Sequence, residues 1–419
     1  MSAANIASNL LFQWLVLTML GPGELTDALF AGLTLPQLFT AIVSSSLTHV
    51  LVPILAGEQH EDQRRDAWTL FIYSAALFGI VSLALIFTAG WWVPLTVPGF
   101  SVDAKLITVE LASISTLGMV FTGMSAVQAA IGYARHKFLW ADAAPMLANL
   151  ISVVLLMWLL PQYGIWAAAW ISVIRLMLQT LILMPLMGKP TKPDRSRPTT
   201  QIAWQRLKPI LLGASYYKLD PLVDRFLLSS ASAGSLSLLY LSQQLHSAAC
   251  QIVSKAFAVP AITALAAAHK LRNQAHFASR LVRTLRIMFA VCLLGIFTIW
   301  SVGEPLLKWG MAHGEFTSFH AQELWVLLLL TAGMLVAGAM GTLTAGAFYA
   351  QGDTRTPTWL GSLAFTLGIV LKIAMFKLYG VQGLAIAISV YYMFSLGLQL
   401  FVLWRRGGMQ NTQSVLVQE

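Results

Sequence analysis

The chain has 419 residues, of which 57% are hydrophobic and only 10% are charged, and its mean hydropathy is +0.72. These values exclude an ordinary soluble domain, in which roughly half of the residues are apolar and about a quarter are charged. Cys250 and Cys292 lie within apolar runs, so neither a disulfide framework nor a cysteine metal site is expected. The composition therefore predicts an all-α polytopic membrane protein.

Apolar runs long enough to cross a bilayer recur along the whole chain. About 20 apolar residues in a helix span the roughly 30 Å hydrocarbon core. On this criterion we predict twelve transmembrane helices, at about residues 5–20, 27–56, 67–89, 106–131, 141–160, 164–187, 206–231, 237–266, 284–303, 323–348, 357–377 and 382–404.

Basic residues fall in alternate loops between these spans. The basic loops carry Arg64, Arg65, Arg135, Lys137, Lys189, Lys192, Arg195, Arg197, Lys270, Arg272, Arg280, Arg283, Arg355, Arg405 and Arg406. The other loops are nearly free of basic residues, so the positive-inside rule places both termini in the cytoplasm. The net charge of +9 thus reflects orientation, and no nucleic-acid partner is expected.

A polar linker, GKPTKPDRSRPTTQ, begins at Gly188 and separates the first six spans from the last six. The sequence therefore predicts four segments: an N-terminal six-helix lobe (1–187), a cytoplasmic linker (188–205), a C-terminal six-helix lobe (206–404) and a cytoplasmic tail (405–419).

The two halves also resemble each other in sequence. Tyr133-Ala134 and Tyr163-Gly164 recur as Tyr349-Ala350 and Tyr379-Gly380, at one common offset. Because six spans is an even number, both halves insert in the same orientation, as in the parallel repeats of many transporters. We therefore predict two lobes around a central substrate cavity, with transport by alternating access.

The sequence contains no Walker A motif, no GxGxxG after a strand and no HExxH motif. Acids and histidines are few and do not group in the loops, so we expect a transporter and not an enzyme. No cofactor is expected. A coupling ion would be H⁺ or Na⁺, and the membrane potential is an alternative driving force.

The seventh span, KPILLGASYYKLDPLVDRFLL, carries the densest group of charges within the membrane. Lys218 and Asp220 lie roughly 18 and 21 Å along a helix that starts at the cytoplasm, which is near mid-bilayer. Asp220 and Asp224 share a face, and Arg225 follows directly. Charges at this depth indicate a substrate cavity, although a self-neutralising buried set is the alternative. Pro221 predicts a hinge.

Arg175 in the sixth span also lies near mid-depth, where it can offer a bidentate donor to an anionic group in the cavity; pairing with a neighbouring helix is the alternative. Gln243 and Gln244 in the eighth span can hydrogen-bond a hydroxyl-bearing substrate or join two helices. Lys372 lies toward the periplasmic side of the eleventh span, where snorkelling to the membrane surface explains its presence equally well.

In the cytoplasmic GDTRTP segment, Thr356 is predicted to cap the following helix.

The second span begins LTDALFAGLTLPQLF. On position alone, Thr26 or Asp27 caps this helix at the periplasmic side. Pro36 lies inside the span and predicts a bend that allows the helix to open and close.

Several blocks together resemble the MurJ/MviN family: TDALFAGLTLPQLF, VPILA, PGF, FLWADAAPMLANL, GSLSLLY, HGEFT and FYAQGDTRTP. The family belongs to the superfamily of multidrug, oligosaccharidyl-lipid and polysaccharide exporters. The resemblance implies two V-shaped lobes around a cationic cavity and a flippase for undecaprenyl-pyrophosphate-linked saccharides. It also aligns Asp27 with an acid that lines the cavity near its periplasmic gate.

The chain departs from the family pattern in its charges. The arginines usual in and after the first helix are absent, and Gln243 and Gln244 stand where an acidic-basic pair is common. The basic residues that usually follow LPQ in the second span are also missing, so the seventh span is the first place to look for a cation near Asp27. This difference favours a saccharide other than lipid II. Two alternatives stay open: a proton- or sodium-coupled multidrug antiporter that uses Asp27, Asp220 and Asp224, and an inactive scaffold. Expected partners are the lipid-linked saccharide and membrane lipids, with a polysaccharide polymerase or glycosyltransferases as further candidates.

Overall fold

The computed structural model describes residues 2–56, 60–194 and 199–406. Parts of the predicted linker (195–198) and tail (407–419) lie outside the described residues. The chain forms two compact units: unit 1 comprises Met1–Ser237 with Gly314–Phe316, and unit 2 comprises Leu238–His313 with Thr317–Glu419.

Unit 1 is built on the long helix α5, which packs against α2, α3 and α7, while α6 packs against α1 and α7. Gly32 of α2 permits this close packing, because a Cβ there would lie 3.0 Å from the backbone nitrogen of Ala112 in α5. The helices are α1 (Ser2–Leu20), α2 (Glu24–Ala56), α3 (His60–Phe87), α4 (Ala89–Thr96), α5 (Val102–Ala134), α6 (Phe138–Tyr163), α7 (Ile165–Leu183) with a 3-10 turn (Met184–Leu186), α8 (Thr199–Lys218) and α9 (Asp220–Leu228).

Unit 2 has its apolar core between α11, α12, α14 and the end of α15. Its first helix, α10, begins at Ser235 in unit 1 and continues into unit 2. The helices are α10 (Ser235–Val253), a π-helical turn (Ser254–Ala258), α11 (Val259–Lys270), α12 (Gln274–Met311), α13 (Ser318–Leu330), α14 (Ala332–Ala350) and α15 (Arg355–Arg405).

The predicted all-α membrane fold is confirmed. Within the described ranges, nine helices are long and apolar enough to cross a membrane, and two shorter apolar helices cover Asn5–Leu20 and Ser318–Leu330. Each of the twelve predicted spans falls on a helix. Three predicted spans are interrupted, however: the seventh at Leu219, the eighth by the π-helical turn and the tenth at Thr331. The chain is thus a multi-pass membrane protein.

The internal repeat has a matching backbone geometry. Gly164 separates α6 from α7 with φ 56° and ψ −142°, and Gly380 kinks α15 with φ 60° and ψ −140°. Both angles lie in a region that residues with a Cβ avoid. The predicted lobe boundary at 188–205 stays a prediction; α8 and α9 pack on α2, α3 and α4, within unit 1.

The GDTRTP segment joins α14 to α15 and is closed by a carboxylate. Asp353 accepts hydrogen bonds from the backbone N–H groups of Arg355 and Thr356 at 3.0 and 2.9 Å. Arg406 donates to Asp353 and, at 3.0 Å, to the hydroxyl of Thr356. The capping oxygen comes from Asp353, so the prediction that Thr356 caps this helix is wrong. The carboxylate is the stronger acceptor for the free N–H groups at a helix start.

Candidate functional site

Asp27 is buried in unit 1, with 3% of its surface exposed. Its carboxylate accepts hydrogen bonds from the backbone N–H groups of Gly234 and Ser237, at 2.7 and 2.8 Å, and from the Ser237 hydroxyl. Thr26 performs the local role at the start of α2, because its hydroxyl accepts from the N–H of Gly23 at 2.9 Å. Asp27 therefore caps a distant helix, α10, and not its own.

The geometry before α10 favours this contact. Gly234 has φ +88°, and a Cβ at this position would lie 2.9 Å from the carbonyl oxygen of Pro22. The turn directs the free N–H groups of the helix start toward Asp27. A carboxylate at a helix N-terminus satisfies those donors and interacts favourably with the helix dipole.

Arg225 of α9 contributes positive charge to the same region. Its side chain is buried, it interacts electrostatically with Asp27, and its Nε donates to the hydroxyl of Thr34 at 3.2 Å. Thr34 lies in α2, two residues before Pro36. The seventh span thus supplies a cation, Arg225, that interacts with Asp27.

The seventh span is not one continuous helix, contrary to the sequence expectation. It divides at Leu219 into α8, which ends at Lys218, and α9, which begins at Asp220. Pro221 causes the division, because proline has no N–H to donate to the preceding turn and is well tolerated near a helix start. The depths calculated for a straight rod therefore do not apply beyond Lys218.

The charged residues of the seventh span differ in their surroundings. Lys218 is half-buried, whereas Asp220, Asp224 and Arg225 are buried. Asp220 occupies the first position of α9, where the helix dipole stabilises a carboxylate. This placement explains how two acids four residues apart are accommodated on one short helix. Helix α2 continues through Pro36 to Ala56, and bending at either proline stays a prediction.

Arg175 lies in a second polar group of unit 1, between α1, α6 and α7. Its Nη1 donates to the side-chain oxygens of Asn9 and Asn149, at 3.0 and 3.1 Å. Asn149 in turn donates to Asn5. We call Arg175 and these three asparagines the arginine–asparagine cluster. The three asparagines were not predicted, although polar amides inside apolar spans could have identified them.

Gln243 and Gln244 lie on α10 in unit 2, and both are half-buried. Nearby on this helix, the Ser242 hydroxyl bonds that of Thr331 at 2.8 Å, and His246 bonds the Leu328 carbonyl at 2.9 Å. These bonds join α10 to α13 and to the α13–α14 junction. Saccharide contact and helix joining both stay predictions for the two glutamines.

Lys372 differs most from its expected environment. Its side chain is fully buried in the interior of unit 2, with 0% exposure, and its ammonium lies 5.4 Å from the centre of the Tyr391 ring. A snorkelling lysine would extend to the membrane surface, so that interpretation is wrong. Ionisable residues buried at membrane depth are usually functional.

The described residues contain no group of three or more His, Cys, Asp or Glu side chains that could hold a metal ion.

The family follows from comparison with known proteins. A family model described as "Lipid II flippase MurJ" matches residues 16–418. The chain belongs to the MurJ family.

Relatives in the MurJ family are distant in sequence but similar in extent. A probable lipid II flippase MurJ of Vibrio cholerae is 23% identical over 397 residues, which cover 90% of this chain and 75% of the relative. The corresponding protein of Helicobacter pylori strain J99 is 22% identical over 415 residues, covering 92% and 88%. The matching family is one of flippases, so this MurJ-family chain is a transporter and not an enzyme.

Solved structures show the same fold. A lipid II flippase MurJ in an inward closed conformation matches with a TM-score of 0.80 and 18% identity, covering 99% of this chain and 89% of the other. An inward-facing multidrug MATE transporter matches with a TM-score of 0.79 and 16% identity, covering 98% and 96%. At these identities the similarity shows the exporter fold shared by MurJ and MATE proteins.

Proposed function

We propose that this protein is a flippase that moves an undecaprenyl-pyrophosphate-linked saccharide from the cytoplasmic to the periplasmic leaflet of the inner membrane. The observation that carries the proposal is the match of the MurJ family model over residues 16–418. The saccharide is a precursor of peptidoglycan or of another cell-envelope polysaccharide. In this proposal both termini are cytoplasmic, and the prenyl tail stays in the lipid during transport.

Arg175 is our candidate for binding the diphosphate. A diphosphate requires a donor that is charged at every physiological pH, and the planar guanidinium provides paired N–H groups. Asparagine oxygens are neutral acceptors, so the bonds to Asn9 and Asn149 orient the guanidinium without cancelling its charge. An oriented cation loses less conformational entropy when the substrate arrives.

The remaining predicted residues have supporting roles in this proposal. Lys218 and Arg225 offset the charge of the substrate, and Asp27, Asp220 and Asp224 balance these cations when the substrate is absent. Gln243 and Gln244 bind saccharide hydroxyls. Alternating access requires helices that bend, which Pro36 and the break before Pro221 provide. The driving force is an H⁺ or Na⁺ gradient or the membrane potential.

The identity of the saccharide is the more specific part of the proposal. Curated relatives are probable lipid II flippases, whereas the missing arginines favour a different saccharide. Expression in a bacterial strain depleted of its essential lipid II flippase separates the two. Full rescue of growth would show that lipid II is carried and would end the preference for another glycan. Absence of rescue by a well-expressed protein would support that preference.

Proteoliposomes test the flippase activity itself. The probe is a fluorescent undecaprenyl-pyrophosphate disaccharide whose outward exposure is read by a membrane-impermeant quencher. We expect Arg175→Ala to reduce the rate strongly and Arg283→Ala, on the exposed surface of α12, to leave it unchanged. Proton- or sodium-dependent efflux of organic cations without lipid flipping would support the antiporter. Neither activity, in a folded protein with every glycan tried, would indicate an inactive relative.

A further inference from the structure

A pair of arginines lies at the end of unit 1 that is predicted to face the cytoplasm. Arg135 follows the last residue of α5, and its side chain is held in one orientation. Its Nε donates to the side-chain oxygen of Gln63, and its Nη1 donates to the Leu186 carbonyl, both at 2.8 Å. Gln63 is itself buried and fixed by a 2.9 Å bond to the Leu55 carbonyl. Arg135 is therefore a positioned cation with donors left for a further acceptor.

Arg64 reaches the same short turn after α7. A Cβ built on Gly188 would lie 3.5 Å from Cδ of Arg64, two residues beyond the carbonyl that Arg135 binds. Burial and the charge of Arg64 lower the pKa of Arg135 from its ordinary value. Both arginine side chains thus lie at the turn formed by residues 186–188.

The ion pair that Arg64 makes with Glu61 offsets its charge only weakly. The carboxylate of Glu61 lies 3.6 Å from Arg64, but 75% of that side chain is exposed, and exposed pairs contribute little. Nε of Arg64 is buried and makes no hydrogen bond within the described part of the chain. A buried donor without an acceptor is unfavourable. The Arg64 side chain as a whole is 30% exposed, so the rest of its guanidinium is open to an acceptor from outside the protein.

Neighbouring residues indicate that an acceptor at this pair would lie at the level of the lipid head groups. Arg64 lies near the start of a candidate span that covers Glu61–Phe87. Trp140, an exposed aromatic residue of the kind found at membrane interfaces, is held by a 2.9 Å bond from its indole nitrogen to the Ile182 carbonyl. Lys189 and Lys192 are exposed on the segment after the turn and add positive charge.

We propose that Arg64 and Arg135 form a binding site for the phosphate of a lipid head group, separate from the arginine–asparagine cluster. Paired guanidinium groups bind phosphate oxygens through parallel charge-assisted hydrogen bonds. Basic pockets between helices on the cytoplasmic side are the usual location of such sites. The same chemistry is offered by an anionic phospholipid and by an undecaprenyl pyrophosphate before transport.

Native mass spectrometry of the purified full-length protein tests the site. The probes are phosphatidylglycerol and undecaprenyl pyrophosphate, added separately, with phosphatidylcholine as a lipid without net charge. We expect Arg64→Gln to weaken binding of at least one anionic lipid about tenfold. The matched control is Arg65→Gln, which removes the same charge from the exposed neighbouring position on α3 and should change binding less than twofold.

The lipid that loses affinity identifies the source of the phosphate. Equal retention of both anionic lipids by Arg64→Gln and Arg65→Gln would overturn the proposal. If Arg64→Gln unfolds at a lower temperature than the wild type, Arg64→Lys is measured instead, because it keeps the charge and loses only the planar donor. An affinity for both lipids unchanged in Arg64→Lys would then refute the site.

Discussion

Replacement of Asp27 tests the capping contact between α2 and the start of α10. In Asp27→Ala, the N–H groups of Gly234 and Ser237 lose their acceptor while they stay buried. A buried donor left unsatisfied costs about 1–3 kcal/mol, so we expect a loss of about 4 kcal/mol for the two together. Asp27→Asn keeps an oxygen for Ser237 but presents an NH₂ group or a weaker acceptor to Gly234, and should cost roughly half as much.

The assay is thermal unfolding of the detergent-solubilised protein, together with the flipping rate in proteoliposomes. Glu24→Gln is the control, since Glu24 is an exposed acid in the same first turn of α2. Surface changes of this kind usually stay within about 0.5 kcal/mol. The predicted order of destabilisation is Asp27→Ala, then Asp27→Asn, then Glu24→Gln. Equal unfolding temperatures for Asp27→Ala and Glu24→Gln would refute the capping role.

Three other positions can be tested in the same preparation. Gly234→Ala should lower stability by about 2 kcal/mol, because its positive φ and close backbone contact disfavour a Cβ; an unchanged unfolding temperature would contradict this. Arg175→Lys keeps the charge but loses the planar donor, so flipping should fall about tenfold, while the weakened bonds to Asn9 and Asn149 should lower stability by only about 1 kcal/mol; a wild-type rate would argue against diphosphate binding. Hydrogen bonds from Thr356 and Arg406 hold the pKa of Asp353 well below its ordinary value of 3.8. Because the folded pKa is the lower one, the stabilisation is fully present above the ordinary value and is lost as pH falls through the folded pKa. The difference in unfolding temperature between wild type and Asp353→Asn should therefore be constant from about pH 8 to pH 5 and shrink below that; a constant difference down to about pH 3 would contradict the assignment.

The fold was predictable because membrane helices leave a strong local signal. A run of about 20 apolar residues must form its own backbone hydrogen bonds in lipid, so length and hydropathy nearly determine the helix. The break before Pro221 was visible as a proline, but a proline inside a span can bend a helix or divide it. The choice depends on packing against α2 and α4, which the local sequence does not contain.

The site was less predictable because its contacts join distant parts of the chain. Asp27 stood out as an acid in an apolar run, yet its partners are backbone groups 207 and 210 residues away. Backbone donors leave no residue-type signal at such separations. Lys372 shows the same limit. Its depth in the sequence left snorkelling as an equal explanation, and only the packing of unit 2 encloses the side chain beside Tyr391.

The turns at Gly164 and Gly380 also determine how much of the chain is exposed outside the membrane. Each reverses the chain with a single residue, in a backbone conformation that a side chain would disrupt. By the predicted topology both turns face the periplasm, so these two corners present almost no loop to an antibody, a protease or a phage. An epitope tag or reporter enzyme inserted at either glycine would separate two helices that one residue connects. Topology mapping should therefore use the longer segment around Gly314.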